Sequence, residues 1–588
     1  METTVNYQKR KNQELFKSLE GFGLVKTQNY IPLYNRFFVL NETNYNGVNL
    51  NHSWYLSNVQ SNLADINPNL YKCTIKHSIN EKSKPKTKNV FFKLAPLLDP
   101  FKFMIGKYDW KNSSLFHLPS IRESTAPPKT LDMNNSAYVD SFFSYLTSKM
   151  VHNNGFIHGL DFYGSFLAIK NDFKVNIFDD LDYLTKSDFF NKQKNVLFEV
   201  EDYSNIFSED GEDGEKPKLA PIKIFEDATA ALVTDIFDES VFDTVFTTVD
   251  SSSVVSSTIT TENLKELEID FTDLHQSKTE TLKSGSSCSS RTSHTGSHDE
   301  IDEDDESGDW SDIDGESGSG CDNSDDDDND DDESEEEEHV YATFKEFPVQ
   351  VICMENCENT FDDLILHNDL SEVEWFSALM QVVMILITYQ KVFSFTHNDL
   401  HTNNIMYVNT EKEFIYYCYK KKYYRVPTFG RIFKIIDFGR SIYKFDGKIM
   451  CSDSFQLGGD ASTQYNTEPY YNDKKPRLEP NYSFDLCRLA CSIFDYLVDS
   501  MDSIRDLNKC DAITRVIVEW CLDDNGINVL YKNNGADRYP DFKLYKMIAR
   551  YVHNHTPQAQ LERKEFNAFT ISKNKIPNNE KVLNLDNF

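Results

Sequence analysis

Hydrophobic and polar positions along the chain fall into successive regimes. From about Phe37 to Lys170, short apolar runs such as RFFVL, LYKCTI and NVFFKLAPLL alternate with Asn-rich turns, the pattern of a small antiparallel sheet. Within this region Val139, Phe142, Phe143, Leu146 and Met150 give Ser136 to Val151 a helical spacing. Strand-like FIHGLDFYGSFLAI follows, from Phe156 to Ile169. From about Ser204 to His339, Ser, Thr, Asp and Glu dominate. Apolar content there is too low to offset the entropy of ordering, which predicts disorder, with ATAALVTDIF near Ala228 as a spot for transient helix.

Order resumes at FKEFPVQVICMENCENTFDDLIL, Phe344 to Leu366, which reads as a strand, a short connector and the start of a helix. A helix with a broad apolar face follows over Glu372 to Val392, then strand-like IMYV and FKIID. The Gly-, Asn- and Pro-rich segment up to Tyr482 reads as a loop. Tyr482 to Val498 and Tyr539 to Val552 read as two more helices. The polar stretch therefore falls between two strands of one sheet, which makes it an insertion. Loop-closure entropy grows only logarithmically with length, so the sheet tolerates it.

At 588 residues the chain has room for two to four domains, or fewer with a large insertion. Its formal charge of -35 argues against direct nucleic-acid binding, because a polyanion is repelled. That charge is concentrated between Asp299 and Glu338, which includes SDDDDNDDDESEEEE. Among eleven cysteines, Cys353 and Cys357, and Cys487 and Cys491, are four apart with no matching second half, so ordinary thiols are expected. The polar start METTVNYQKRKNQ predicts no signal peptide, hence an intracellular, reducing compartment. The longest apolar run, Ala378 to Tyr389, is too short to span a bilayer, so no membrane span is expected.

The chemistry concentrates in HNDLHTNN, His397 to Asn404, and in Ile435-Ile436-Asp437-Phe438-Gly439. A lone His-x-Asp is usually a turn or a cap. Here an apolar helix precedes it and strands flank both segments. Phosphoryl transfer needs one carboxylate near the attacking hydroxyl and oxygen ligands for Mg²⁺ or Mn²⁺. Asp399 fits as the base, Asn404 and Asp437 as metal ligands, and Gly439 as the source of backbone freedom in the metal loop. His397 fits a structural, hydrogen-bonding role.

This arrangement resembles the protein kinases, whose catalytic loop reads HRDxxxxN and whose metal loop reads DFG; only the Arg differs, as Asn398. The resemblance implies an α+β, bilobal fold: a small β-rich N-lobe with one main helix, and a larger helical C-lobe. It implies ATP as cofactor. Lys93 in VFFKLAP stands where kinases hold the α- and β-phosphates, although a strand lysine is more often a solvated edge residue. Asp140 stands where kinases place the partner Glu, and equally fits a helix-start acid favoured by the macrodipole. Met354, Glu355 and Cys357 fall in the hinge over the adenine. Asp485 matches the acid that hydrogen-bonds the catalytic-loop backbone, and also reads as a helix cap. No GxGxxG precedes Lys93; Gly21-Phe22-Gly23 is an incomplete echo. Asn398 removes the Arg that senses a phosphorylated activation loop, which predicts activity independent of such phosphorylation.

The long stretch from Met406 to Tyr443 resembles protein kinases of giant nucleocytoplasmic DNA viruses of the mimivirus type, a likeness running from about Pro348 to Tyr551. It implies Ser/Thr protein substrates and a place in host cytoplasm or virion, and the frequent Asn, Lys, Tyr, Phe and Ile fit an AT-rich genome. On this reading residues 1–30 are an extension and 31–203 the first part of the N-lobe. Residues 204–340 are the acidic insertion, 341–356 the last N-lobe strand and hinge, 357–571 the C-lobe and 572–588 a tail. Two other readings stay open. Choline and aminoglycoside kinases also carry HxDxxxxN, and His401 in place of the usual Lys leans that way. A pseudokinase scaffold would use the acidic insertion to bind basic partners such as histones; Ser311, Ser324 and Ser334 there suit an acid-directed kinase.

Overall fold

The computed structural model describes residues 5–51, 53–78, 82–122, 125–203, 339–540 and 542–588. The predicted disorder and transient helix of 204–338, and Ser311, Ser324 and Ser334, lie outside these residues. The protein is mixed α+β. A seven-stranded antiparallel sheet is built from β1 (Leu24–Gln28), β2 (Trp54–Asn62), β3 (Leu70–His77), β4 (Lys86–Pro96), β5 (Phe162–Asn176), β6 (Glu199–Val200) and β7 (Tyr341–Glu355). Its order is β1-β5-β7-β4-β3-β2, with β6 pairing on β7. Since β6 ends at Val200 and β7 begins at Tyr341, the chain leaves and re-enters this sheet at neighbouring strands.

Period-two alternation gives the sheet two working faces. Val90 and Phe92 of β4, with Val349, Val351 and Cys353 of β7, enter one core together with Leu15 and Leu19 of α1 (Gln13–Glu20). Ala95, Ile352 and Met354 face a second core containing Val139, Phe142 and Phe143 of α2 (Ser136–Asn154). Lys93, between Phe91 and Ala95, therefore projects toward α2. Every residue of α2 from Ala137 to Met150 is buried, so the helix is a central post rather than a surface element. Asn135 caps its start, and Gly155 ends it at φ 67°.

The expected strand RFFVL does not form. Pro32 opens a 3-10 turn over Pro32–Arg36, and Phe37 stacks on Phe142 of α2, ring centroids 4.8 Å apart. An apolar plug and a strand residue look alike in so short a run. The strand expected from Phe156 begins instead at Phe162. Gly159 lies in the intervening turn, where a Cβ would come within 2.5 Å of the Thr147 carbonyl oxygen.

The second core continues into the rest of the chain. It contains α3 (Phe361–His367), α4 (Glu372–Phe393), β8 (Ile405–Asn409), β9 (Phe414–Tyr419), β10 (Lys422–Pro427), β11 (Arg431–Ile435), β12 (Ile442–Phe445) and β13 (Lys448–Cys451). The helices α5 (Phe484–Leu497), α6 (Ala512–Trp520) and α7 (Lys543–Tyr551) also pack into it. Ser371 and Glu374 close α4 with a capping box. This helix is long and apolar enough to cross a bilayer, but 89% of its apolar window is buried inside the protein, the mark of a core helix. Strands β9 and β10 form a further antiparallel pair, and the antiparallel pairs β8–β11 and β12–β13 adjoin the site described below. The last of these corrects the expected loop after Gly439: Asp446 and Gly447, both at positive φ, turn a tight hairpin that buries Met450 and Cys451. The nine cysteines among the described residues are free thiols.

Candidate active site

Backbone hydrogen bonds hold the His397 to Asn404 loop. After α4 the chain reverses at Ser394, φ 50°, and Thr396 exchanges backbone hydrogen bonds with Ile442 at 2.9 and 3.0 Å. Asp485, in the first turn of α5, accepts the His397 N–H at 2.9 Å and the Asn398 N–H at 2.9 Å. It does not cap its own helix, whose cap position is Ser483. Ile436 ties the two segments together: its carbonyl accepts from His397 Nε2 at 2.8 Å, and its N–H donates to the Asn404 carbonyl at 2.9 Å. A carbonyl only accepts, and the Asp399 N–H points at His397 Nδ1 from 3.3 Å, so His397 carries its proton on Nε2.

Asn398 sits at φ 64°, where Asn is among the better-tolerated side chains. Its amide donates to the Arg440 carbonyl at 3.0 Å, and its oxygen accepts from the Tyr465 hydroxyl at 2.8 Å. Thus a neutral amide grips the segment after Gly439, at the position where the resemblance leads to an Arg.

Asp399 accepts the Tyr545 hydroxyl on Oδ1 at 2.7 Å, and Arg440 Nε stands 3.9 Å from Oδ2. Burial raises its pKa, yet the Arg440 and Arg488 charges and the Tyr545 hydrogen bond outweigh that and hold it well below the usual carboxylate range. His401 contributes no charge at neutral pH, because burial lowers its own pKa to about 4. Asn404 donates through Nδ2 to the Asp399 carbonyl at 2.9 Å and approaches His401 Nε2 at 3.0 Å. Its oxygen is thereby left as the ligand-capable atom.

On the sheet side, Lys93 Nζ lies 2.6 Å from Asp140 Oδ2 and 2.9 Å from Asp437 Oδ1. Burial alone would lower the lysine's pKa; the two carboxylates reverse this and raise it. Asp140, enclosed in α2, is pushed up by burial against the pull of Lys93. Burial also opposes ionisation of Asp437, but Lys93 prevails there and holds it low. The second oxygen of Asp140 accepts the Phe438 N–H at 3.1 Å, so α2 grips the Asp437–Gly439 loop as well as the lysine. Phe438 packs beside Phe143, ring centroids 4.6 Å apart. Gly439 does not supply the freedom expected of it: the left-handed residue is Asp437, φ 58°, and a Cβ on Gly439 would stand 3.4 Å from the Asp437 carboxylate.

At the end of β7, Met354 is buried opposite Phe91 and Phe162. Glu355 is engaged within the protein. Its carboxylate takes Lys434 at 2.6 Å and the Asp161 N–H at 2.8 Å, and its N–H donates to the Asp161 carbonyl at 2.9 Å. Cys357 is buried, and burial pushes its thiol up to about 12. The turn between β2 and β3, residues 63–69, contains no glycine. A polar open groove of about 830 Å³ lies elsewhere, between the β8–β9 turn and Lys575 to Glu580, and includes none of these residues.

Lys93, Asp140 and Asp437 thus form one group, and Asp399, Asn404, His397 and Asp485 a second, joined through Ile436. Sequence reasoning missed Tyr465, Arg488 and Tyr545, which reach the site from distant segments with no local motif. Arg440 directly follows Gly439 and was visible. No family model matches the chain. Over 182 residues it is 24% identical to an uncharacterised protein, 098R, of Invertebrate iridescent virus 6. That stretch covers 30% of this chain and 26% of the viral protein, so the match spans about a quarter of its relative's length.

Proposed function

We propose that the protein is an ATP- and Mg²⁺-dependent kinase with a bilobal, protein-kinase-like architecture, transferring phosphoryl groups to Ser/Thr hydroxyls of protein substrates. The observation that carries this reading is the Lys93 ammonium held by both Asp140 and Asp437, in a loop tied back to back with the one bearing Asp399 and Asn404. In this reading Lys93 holds the nucleotide phosphates, and α2 sets its position through Asp140. Asp399, kept ionised, orients the substrate hydroxyl and accepts its proton.

One amide oxygen, Asn404 Oδ1, and one carboxylate, Asp437, fit Mg²⁺, which binds through one or two protein oxygens and completes its shell with phosphates and water. Bound there, the ion would neutralise charge on the transferring group. Met354 and Cys357 would flank the adenine, with Glu355 bracing the hinge through Lys434. The partial likeness to an iridescent-virus protein supports a viral origin.

The test is transfer from γ-labelled ATP with Mg²⁺ to a panel of basic and acidic proteins, with choline alongside, for wild type, Asp399→Ala and Asp437→Ala. Label should reach protein, and it should vanish in both variants and on chelation of Mg²⁺. Label on choline alone would establish a small-molecule kinase, and absence of any transfer, with tight histone binding, a scaffold.

A further inference from the structure

Asp399 is approached from an unexpected direction. Tyr545 lies on α7, 146 residues further along the chain, and its hydroxyl reaches Asp399 Oδ1 at 2.7 Å. The same hydroxyl receives a hydrogen bond from Arg488 Nε at 3.0 Å, and the Arg488 guanidinium lies 5.3 Å from the Tyr545 ring centroid. Arg488 is fully buried on α5, the helix whose Asp485 holds the loop backbone. Because the guanidinium can only donate, the tyrosine hydroxyl must spend its proton on the carboxylate. The result is a directed chain, Arg488 to Tyr545 to Asp399. Phe484 and Phe542 pack around the ring, with centroids 6.1 and 5.2 Å away, so it sits in a packed slot.

Oδ1 is therefore engaged, whereas Oδ2 faces Arg440 Nε at 3.9 Å, beyond hydrogen-bond range. A carboxylate free to rotate would offer a substrate hydroxyl either oxygen at varying angles. One pinned through Oδ1 offers Oδ2 in a single orientation, and charge-assisted hydrogen bonds are the strong ones. We propose that Tyr545 is a positioning residue that fixes Asp399 through Oδ1 and presents Oδ2 to the acceptor hydroxyl, with Arg488 orienting the tyrosine. This role rests on the kinase reading above. It assigns part of the catalytic geometry to a helix outside both motif segments.

The experiment compares full-length wild type with Tyr545→Phe and with 3-fluorotyrosine at position 545, measuring kcat, KM for ATP and the melting temperature. Loss of one hydrogen bond to a charged group predicts a fall in kcat of about 10- to 100-fold. KM for ATP should stay close to wild type, the melting midpoint should fall because the buried Arg488 Nε also loses its acceptor, and fluorotyrosine, which keeps the hydroxyl, should restore both kcat and the midpoint. If Tyr545→Phe turns over as fast as wild type, or faster because the hydroxyl was blocking the acceptor, the role is overturned while the kinase reading stands. If fluorotyrosine is as impaired as phenylalanine, ring packing is the cause and the role is again overturned. If the wild type transfers no phosphoryl group at all, the kinase reading fails and this role falls with it.

Discussion

The two halves of the candidate site are held by different forces. Around Asp399 the restraint is backbone: a buried carboxylate takes two loop amides, Ile436 is bonded on both sides, and Thr396 pairs with Ile442. Around Lys93 the restraint is ionic, one lysine between two acids, with Asp437 half exposed. A loop locked through its own amides cannot relax without unfolding locally, whereas an ion pair can exchange a protein partner for a ligand phosphate. In the proposed kinase this difference would make the Asp399 side the preorganised half and leave the Lys93 side to adapt to a nucleotide.

The most severe way to break this comparison is Asp485→Ala. It orphans two buried amides and should cost about 2–5 kcal/mol in a denaturant titration. Acidification comes next. His158, buried between the Phe433 carbonyl and the Tyr417 hydroxyl, joins the turn before β5 to β9 and β11. Burial lowers its pKa from 6.5 to about 4, so the unfolded chain binds a proton that the folded one refuses. Stability from this group is full above pH 6.5 and falls as pH drops toward 4, by about 3 kcal/mol in all. Denaturation midpoints across that range should show the slope in wild type and lose most of it in His158→Gln. By contrast, Lys93→Met should destabilise less than Asp485→Ala, because Asp437 is half exposed to water and Asp140, already raised by burial, takes up a proton once the lysine is gone. If Lys93→Met destabilised as much as Asp485→Ala, the contrast between the halves would disappear. The smallest effect is expected from phosphatase treatment. Asn398 holds Tyr465 and Arg440 with a neutral amide, so the dephosphorylated protein should keep the proposed phosphoryl-transfer activity.

What could be read from the sequence was local. Strand β7, helices α2, α4 and α5, and the two motif segments each announce themselves within about twenty residues, by periodicity or by residue order. RFFVL misleads because its apolar residues pack against α2 and so short a run carries no period to tell this from a strand, and the segment after Gly439 misleads because its Gly, Asn and Pro content hides the short hairpin at its start. Helix α6 is only nine residues long, and the β9–β10 hairpin lies inside the stretch from Met406 to Tyr443, which reads only as unusually long. At the site, the kinase resemblance implies a pairing of Lys93 with Asp140, and the two side chains lie 2.6 Å apart. Tyr545 and Tyr465 could not have been found this way, because nothing around either marks a partner more than sixty residues distant.

The proposed phosphoryl-transfer site has a nucleotide-gripping half and a catalytic half. Its most direct test is to measure MgATP binding by calorimetry and phosphoryl transfer on the same preparations of wild type, Lys93→Met and Asp399→Ala. Lys93→Met should weaken nucleotide binding and transfer together. Asp399→Ala should bind MgATP nearly as wild type does yet lose about 10²- to 10⁴-fold in transfer. Absence of MgATP binding to wild type, or equal binding and equal transfer in all three proteins, would contradict it.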